Sequence, residues 1–364
     1  MGEERPGDPN RYIGAPVDGA EGISSYFVAP NLGKECMTIN LKLPEGRQLL
    51  HHLVNALEVD VFMCNTLPAR YAALGIDYKS LSGQKPDLIW CGISAMGPGE
   101  PSRAGYDPAL QALMGFTYLT GEPDGMPVPC GLPIIDLKAG DEAFTQVALA
   151  LLERGHTGRG KEIHVSMAQC AASWLITALP QLNFPAADPR VLERSGNEHR
   201  SFIPSNAYPT LDGFVYLAIG NDSQWDKLAH SPGFESLYRS NRVTNEGRRA
   251  DKDAIYKEMK AISLGMSTDD FVRHCLGLKL AVAPVQAIPQ IAQMDMVQHQ
   301  AQHTTLPTGQ TAWMAPAAYT TDYLKNNGLH LDFPGKLGQD NQTVLAQAGY
   351  TPQEIAQMKA QHTI

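Results

Sequence analysis

Residues 36–63 read Cys36-Met-Thr-Ile-Asn-Leu-Lys-Leu-Pro-Glu-Gly-Arg-Gln-Leu-Leu-His-His-Leu-Val-Asn-Ala-Leu-Glu-Val-Asp-Val-Phe-Met63. The opening Cys36–Leu41 reads as a short strand. Pro44-Glu45-Gly46 then starts a helix that runs to about Leu57, and Val59–Met63 reads as a second strand. After a loop from Asn65 and a helical stretch near Tyr71, Leu88–Ser94 gives a third strand. Strands alternating with helices of this length predict an α/β protein built on a parallel sheet. Working outward, Asp107–Leu119 is apolar at helical spacing. Leu132–Ile135 reads as a short buried strand ending at Asp136. Ala139–Glu153 reads as a helix with apolar positions at Ala143, Phe144, Val147, Leu151 and Leu152. Ile163–Val165 is a further strand, followed by a long helix from Met167.

Beyond Phe184 the character changes. Phe184–Asn197 is rich in Pro, polar and charged residues and reads as a linker. Phe214–Ile219 and Val282–Ala287 read as strands, Ser267–Leu276 as a helix capped by Ser267 or Thr268, and a final helix follows Pro352. A length of 364 residues exceeds what one core usually supports, so two domains are expected.

The formal charge of −9 argues against a general nucleic-acid binder, which needs a basic face. The six cysteines are scattered without a Cys-x-x-Cys pair, which fits reduced thiols in a cytoplasmic protein better than a disulfide framework. Met1–Arg11 does not read as a signal peptide, and the most apolar stretch, Ala171–Leu179, is too short to span a bilayer. No membrane partner is expected.

Among candidate motifs, Gly155-His-Thr-Gly-Arg-Gly160-Lys161 imitates a phosphate loop. However, Glu162 stands where a metal-binding Ser or Thr is required, and a helix precedes the loop where a strand should. It reads as a helix-to-strand turn. His299 and His303 could share a helix face, but no carboxylate or cysteine completes a metal set, so no metal is expected. No Gly-x-Ser-x-Gly elbow is present. Asp136 stands apart: it ends an apolar run and precedes Gly140 and a strong helix, where α/β folds place their chemistry. Helix N–H groups there would favour its ionised form. A plain helix-capping aspartate is the other reading of the same pattern.

Several stretches in one order then narrow the choice. They are Asn31-Leu-Gly-Lys34, Ile39-Asn-Leu-Lys42-Leu-Pro-Glu-Gly46, Pro86-Asp-Leu-Ile-Trp-Cys-Gly-Ile-Ser94, Gly105-Tyr-Asp107, Leu119-Thr-Gly-Glu-Pro-Asp-Gly125, Pro133-Ile-Ile-Asp136 and Thr157-Gly-Arg-Gly160. Gly196-Asn197, Ala218-Ile-Gly-Asn-Asp-Ser-Gln-Trp225 and Leu337-Gly338 continue the series. Together they resemble the class III CoA-transferases, the CaiB/BaiF family that includes formyl-CoA and carnitine CoA-transferases.

The resemblance implies a Rossmann-like large domain plus a smaller α/β domain. Residues 1–190 would form the large CoA-binding domain, 198–312 the small one, and 313–364 a segment returning to the large domain. It also implies an interlocked homodimer, with the Phe184–Asn197 linker threading one subunit round the other. The family's catalytic aspartate falls on Asp136. Its CoA contacts fall on Arg5, Tyr26, Ile39, Lys42, Asn65, Thr66, Tyr106 and Asp107. Its mobile glycine loop falls on Gly220, Asn221 and Asp222, with one glycine instead of a run. An arginine that some members use for CoA falls on Ala73, where Arg70 could substitute. The family usually opens with a strand and helix before a segment like Glu4-Arg5-Pro6-Gly7-Asp8, so the first strand-helix unit is expected to be missing here.

The implied activity is transfer of CoA from an acyl-CoA to a carboxylic acid through an aspartyl anhydride and an aspartyl-CoA thioester. CoA would be a substrate and not a permanent cofactor. Two alternatives stand beside it. One is an α-methylacyl-CoA racemase on the same fold; Tyr106, whose ordinary pKa is about 10, would then have to stand where such enzymes place a histidine. The other is a non-catalytic subunit of a heteromeric transferase.

Overall fold

In the computed structural model, residues 7–184 and 192–364 are described. Arg5 and the middle of the expected linker, residues 185–191, lie outside them. The described residues fall into two compact units. One takes the chain up to Arg103, with Glu142–Val165 and Ile288–Ile364; the other takes Ala104–Asp141 and Ser166–Ala287.

In the first unit a sheet of order β1-β2-β3 is made by Val61–Cys64 (β1), Ile89–Ser94 (β2) and Lys161–Ser166 (β3). Strands β1 and β2 run parallel, with Val61 opposite Ile89 and Cys64 opposite Gly92. The near-continuous apolar run of β2 is explained by its place in the middle: Leu88, Ile89, Trp90 and Cys91 are wholly buried, as a strand covered on both faces must be. The Trp90 indole N–H, which could not stay unpaired there, donates to the Ile76 carbonyl at 2.7 Å. The imitation phosphate loop is the expected turn. The helix before it ends at Thr157, Gly158 takes a positive φ of 68°, and β3 begins at Lys161. Gly160 is needed because a Cβ there would fall on the Leu88 carbonyl.

The helix Pro44–Ala56 starts at its proline, which has no N–H to leave unpaired. It buries Leu49 and Leu53 against Leu345 and Ala348 of the C-terminal region. The segment Cys36–Leu41 is not a strand. Its alternate backbone N–H groups go to other partners: Cys36 to the Asp340 carboxylate, Thr38 to the Asn341 side chain, and Asn40 to the Thr363 carbonyl. Strands Ala301–Thr305 (β7) and Thr311–Pro316 (β8) pair antiparallel. His303 sits on β7 whereas His299 follows the helix Asp295–Gln298, so the two do not share a helix face.

The second unit is antiparallel: Asn206–Pro209 (β4), Phe214–Ala218 (β5) and Ala281–Pro284 (β6), in that order. Strand β5 alternates as a half-buried strand should, with Val215 and Leu217 inward and Phe214 and Tyr216 outward. Helices Asp222–Ala229, Lys252–Ser263 and Thr268–Gly277 contribute Trp225, Leu228, Ile255, Met259, Phe271 and Cys275 to the same core. Ser267 caps the last of these through the Asp270 N–H.

The expected strand Leu132–Ile135 is not formed. A helix begins at Ile134 and runs to Thr157. Four apolar residues carry no decisive period, and Pro133 just before the helix suits a helix start as well as a strand. Along this helix the buried positions are Ile135, Ala139, Ala143 and Ala150, a narrow stripe of mostly small side chains. The expected core positions Phe144 and Leu152 are 75% and 68% exposed. The helix from Met167 is also shorter than expected, ending at Trp174. Among the described residues no helix is long and apolar enough to cross a membrane, and no group of three metal-ligating side chains converges.

Candidate active site

The second unit brings two of the sequence-selected carboxylates together. Asp107 opens the helix Asp107–Leu113, and Asp136 lies in the first turn of the helix Ile134–Thr157. Asp107 is 3% exposed. Its Oδ2 accepts the Ile135 N–H at 2.7 Å and the Asp136 N–H at 3.0 Å. A carboxylate from another helix therefore caps this one, in the role usually taken by a local Ser or Asp.

That contact reverses an expectation about charge. Free N–H groups at the helix start would have favoured ionised Asp136, but Asp107 already occupies them. The Asp136 carboxyl is instead held above the ordinary carboxylate range, first by partial burial and second by the Asp107 charge. Among the described residues it has no ion-pair partner, and its side chain still reaches solvent in the single chain.

The buried side chain that sequence reading passed over is Gln111. It is 1% exposed and lies one turn after Asp107 on the same face. Its Nε2 donates to Asp107 Oδ1 at 2.5 Å and to the Leu132 carbonyl at 3.3 Å, and its Oε1 accepts the Cys130 N–H at 2.8 Å. The only available signal was the i, i+4 spacing of Asp107 and Gln111, which puts both on one helix face. Tyr106, just before Asp107, is 84% exposed.

Gly220, Asn221 and Asp222, also in the second unit, form the start of the helix Asp222–Ala229. The Gly220 N–H donates to the Gln224 side chain at 2.7 Å, and Asn221 accepts the Gln224 N–H at 2.9 Å. Asp222 pairs with the buried Arg248 at 2.8 Å. These bonds tie the segment down as a helix cap.

The remaining candidates belong to the first unit. Asn65 and Thr66 directly follow β1, at the carboxyl end of a parallel strand, where sheets of this kind bind ligands. Lys42 is exposed ahead of the helix Pro44–Ala56, and its carbonyl accepts from Arg47. Ile39 packs against the cluster formed with the C-terminal helices, and Tyr26 is exposed on the short helix Ser25–Val28.

The profile of CoA-transferase family III matches residues 3–341. A succinate–glutarate CoA-transferase of Agrobacterium fabrum is 30% identical over 349 residues, covering 94% of this chain and 86% of its own. An acetyl-CoA:oxalate CoA-transferase of Acetobacter aceti is 31% identical over 301 residues, covering 80% and 75%. Among solved structures, a CaiB/BaiF family protein of Brucella suis superposes with a TM-score of 0.79 at 26% identity, covering 94% of this chain and 89% of its own. A match over nearly the whole chain, on a mixed α/β fold, leads to one assignment: the chain belongs to CoA-transferase family III and is an enzyme of that class.

Proposed function

We propose that this enzyme moves CoA from an acyl-CoA to a free carboxylic acid, with Asp136 as the covalent nucleophile. The observation that carries the reading is the environment of Asp136. Among the described residues it is a carboxylate without a cation, partly desolvated, and held beside a second carboxylate that fixes its backbone. An ionised group destabilised in this way gains by sharing its charge with an acyl carbon.

An Asp136 oxygen attacks the thioester carbon; the C–S bond breaks, CoA leaves as thiolate, and a mixed anhydride forms. The thiolate then attacks the Asp136 carbonyl carbon. The anhydride C–O bond breaks, releasing the donor carboxylate and leaving an aspartyl-CoA thioester. The acceptor carboxylate runs the same two steps in reverse and departs as its CoA ester, while Asp136 returns to carboxylate. The number of thioester bonds is unchanged, so the exchange requires no other energy source.

Tyr26, Ile39, Lys42, Asn65, Thr66 and Tyr106, with Arg5 outside the described residues, are the proposed CoA contacts. Lys42 and Arg5 would meet the phosphates. Asp107, also a CoA-contact position by the resemblance, is nearly buried with both oxygens engaged, and contributes by holding Asp136. Gly220–Asp222 would border the reaction centre and keep water from the anhydride. Short dicarboxylic acids are the proposed substrates, because the relatives above are named for succinate, glutarate and oxalate. Incubation with succinyl-CoA and hydroxylamine should convert Asp136 to a hydroxamate detectable by peptide mass spectrometry. A label on another residue, or none under turnover, would remove Asp136 from the mechanism.

A homodimer is proposed as the working form. Leu137, Phe144, Leu149 and Leu152 on the long helix are bulky, apolar and exposed in the single chain, as a face covered by a second copy would be. Sedimentation at low micromolar concentration should give twice the chain mass, and Phe144→Glu should shift it toward monomer. A compact wild-type monomer would contradict the proposal.

A further inference from the structure

We propose that Gln111 is a positioning residue for the transfer reaction, holding the Asp136 nucleophile in place without touching substrate. The inference rests on the reading of Asp136 given above and extends it to a residue that neither the motif pattern nor the comparisons single out.

Gln111 has two N–H donors and one carbonyl oxygen, and three hydrogen bonds use them in one consistent orientation. The nitrogen faces two acceptors, the Asp107 carboxylate and the Leu132 carbonyl; the oxygen faces one donor, the Cys130 N–H. Turning the amide over would set oxygen against oxygen twice and N–H against N–H once, so the neighbours fix the side chain.

The three contacts converge on the nucleophile. Cys130 and Leu132 belong to the loop that leads into the helix of Asp136, and the Ile134 N–H in turn donates to the Leu132 carbonyl at 2.8 Å. Asp107 holds that helix's first turn through the Ile135 and Asp136 N–H groups. One buried amide thus fixes both the approach to Asp136 and the carboxylate that caps it. Removing it leaves a nearly buried Asp107 oxygen and a loop N–H without their partners, and both will move to find others. A shift of about 1 Å at a reacting atom can cost on the order of 100-fold in rate. Acyl-CoA binding, proposed to rest mainly on Tyr26, Ile39, Lys42, Asn65, Thr66 and Tyr106, should change less.

The test compares Gln111→Leu and Gln111→Glu with the wild type, using succinyl-CoA and glutarate. Gln111→Leu should lower kcat by ~10–100-fold per folded molecule, with KM for the acyl-CoA changed less than about threefold. Hydroxamate formation at Asp136 should slow in the same proportion. Gln111→Glu keeps the shape and can donate to Asp107 only when protonated. Its activity relative to wild type should therefore rise as pH falls, whereas that of Gln111→Leu should not. Wild-type kcat in folded Gln111→Leu, or a raised KM with kcat unchanged, would overturn the proposal. If Gln111→Leu does not fold, the Gln111→Glu profile decides, and a pH-independent ratio to wild type counts against positioning. Asp136→Asn serves as the separate control. Retained transfer there defeats the nucleophile assignment itself, while loss there beside an unaffected Gln111→Leu defeats only the role of Gln111.

Discussion

Two helix N-termini in the second unit hold carboxylates and use them in opposite ways. At Asp222–Ala229 the acid is neutralised: Asp222 meets the Arg248 guanidinium, which also donates to the Ile203, Arg242 and Val243 carbonyls. At Ile134–Thr157 the acid meets another acid. Asp107 takes the Ile135 and Asp136 N–H groups, and Asp136 has no cation among the described residues and has its proton affinity raised. The first arrangement pairs the acid with a buried cation and holds the Gly220–Asp222 segment in place. The second leaves one carboxylate without a cation among the described residues and partly exposed, which is costly for stability and is what the proposed attack on an acyl carbon would use.

The largest test of that contrast is Asp136→Asn. The amide cannot form the anhydride, so transfer should fall by on the order of 10³-fold or more, measured as turnover with a succinyl-CoA donor. The helix cap uses the backbone of residue 136, so the fold should survive. Residual turnover within tenfold of wild type would place the chemistry elsewhere.

Arg248→Leu probes the other terminus. It strands three carbonyls and the Asp222 carboxylate in or near a core, at an expected cost of about 3 kcal/mol in unfolding free energy. Urea denaturation should show it, while turnover per folded molecule changes less than tenfold. The opposite pattern, intact stability with lost turnover, would mean that the Arg248 contact, and not only the position of Gly220–Asp222 beside the proposed reaction centre, serves the chemistry.

Asp107→Asn sits between these cases. Removing the neighbouring negative charge lowers the Asp136 pKa, so the acid limb of kcat/KM against pH should move to lower pH. The weakened cap should still reduce kcat by ~10–100-fold. An unmoved acid limb would show that burial alone sets the Asp136 titration.

The smallest expected effect concerns stability and pH. The Asp136 carboxyl is raised in the folded state, so folding is favoured where the group is protonated. That contribution is lost as pH rises through the folded pKa. Asp136→Asn, which carries no charge, should therefore melt slightly above wild type at pH 7. The difference should shrink as pH is lowered through the folded pKa. An Asn variant that melts lower at pH 7 would mean that the ionised carboxylate has a stabilising partner.

Much of this protein was already set by local chemistry. Pro44 and Ser267 mark helix starts because a missing N–H or a side-chain oxygen answers the unpaired donors there. The run Leu88–Ser94 reads as a strand and is one from Ile89 on, and the ordered motifs around Tyr106-Asp107 and Pro133–Asp136 pointed to the family. What the tertiary structure decided is where distant segments supply the partners. Cys36–Leu41 has strand-like alternation, yet it spends its N–H groups on Asp340, Asn341 and Thr363, some three hundred residues away. Residues 132–135 carry too little period to choose a structure, and the helix that forms there is capped by Asp107 from another helix. Phe144 and Leu152 fit a core-facing pattern, but the helix packs through alanines and leaves them outward. The sign of the Asp136 shift follows the same rule. Period and local caps such as Ser267 are properties of neighbouring residues, whereas a cap from another helix and the charge and burial around a carboxylate depend on whatever the fold brings beside them.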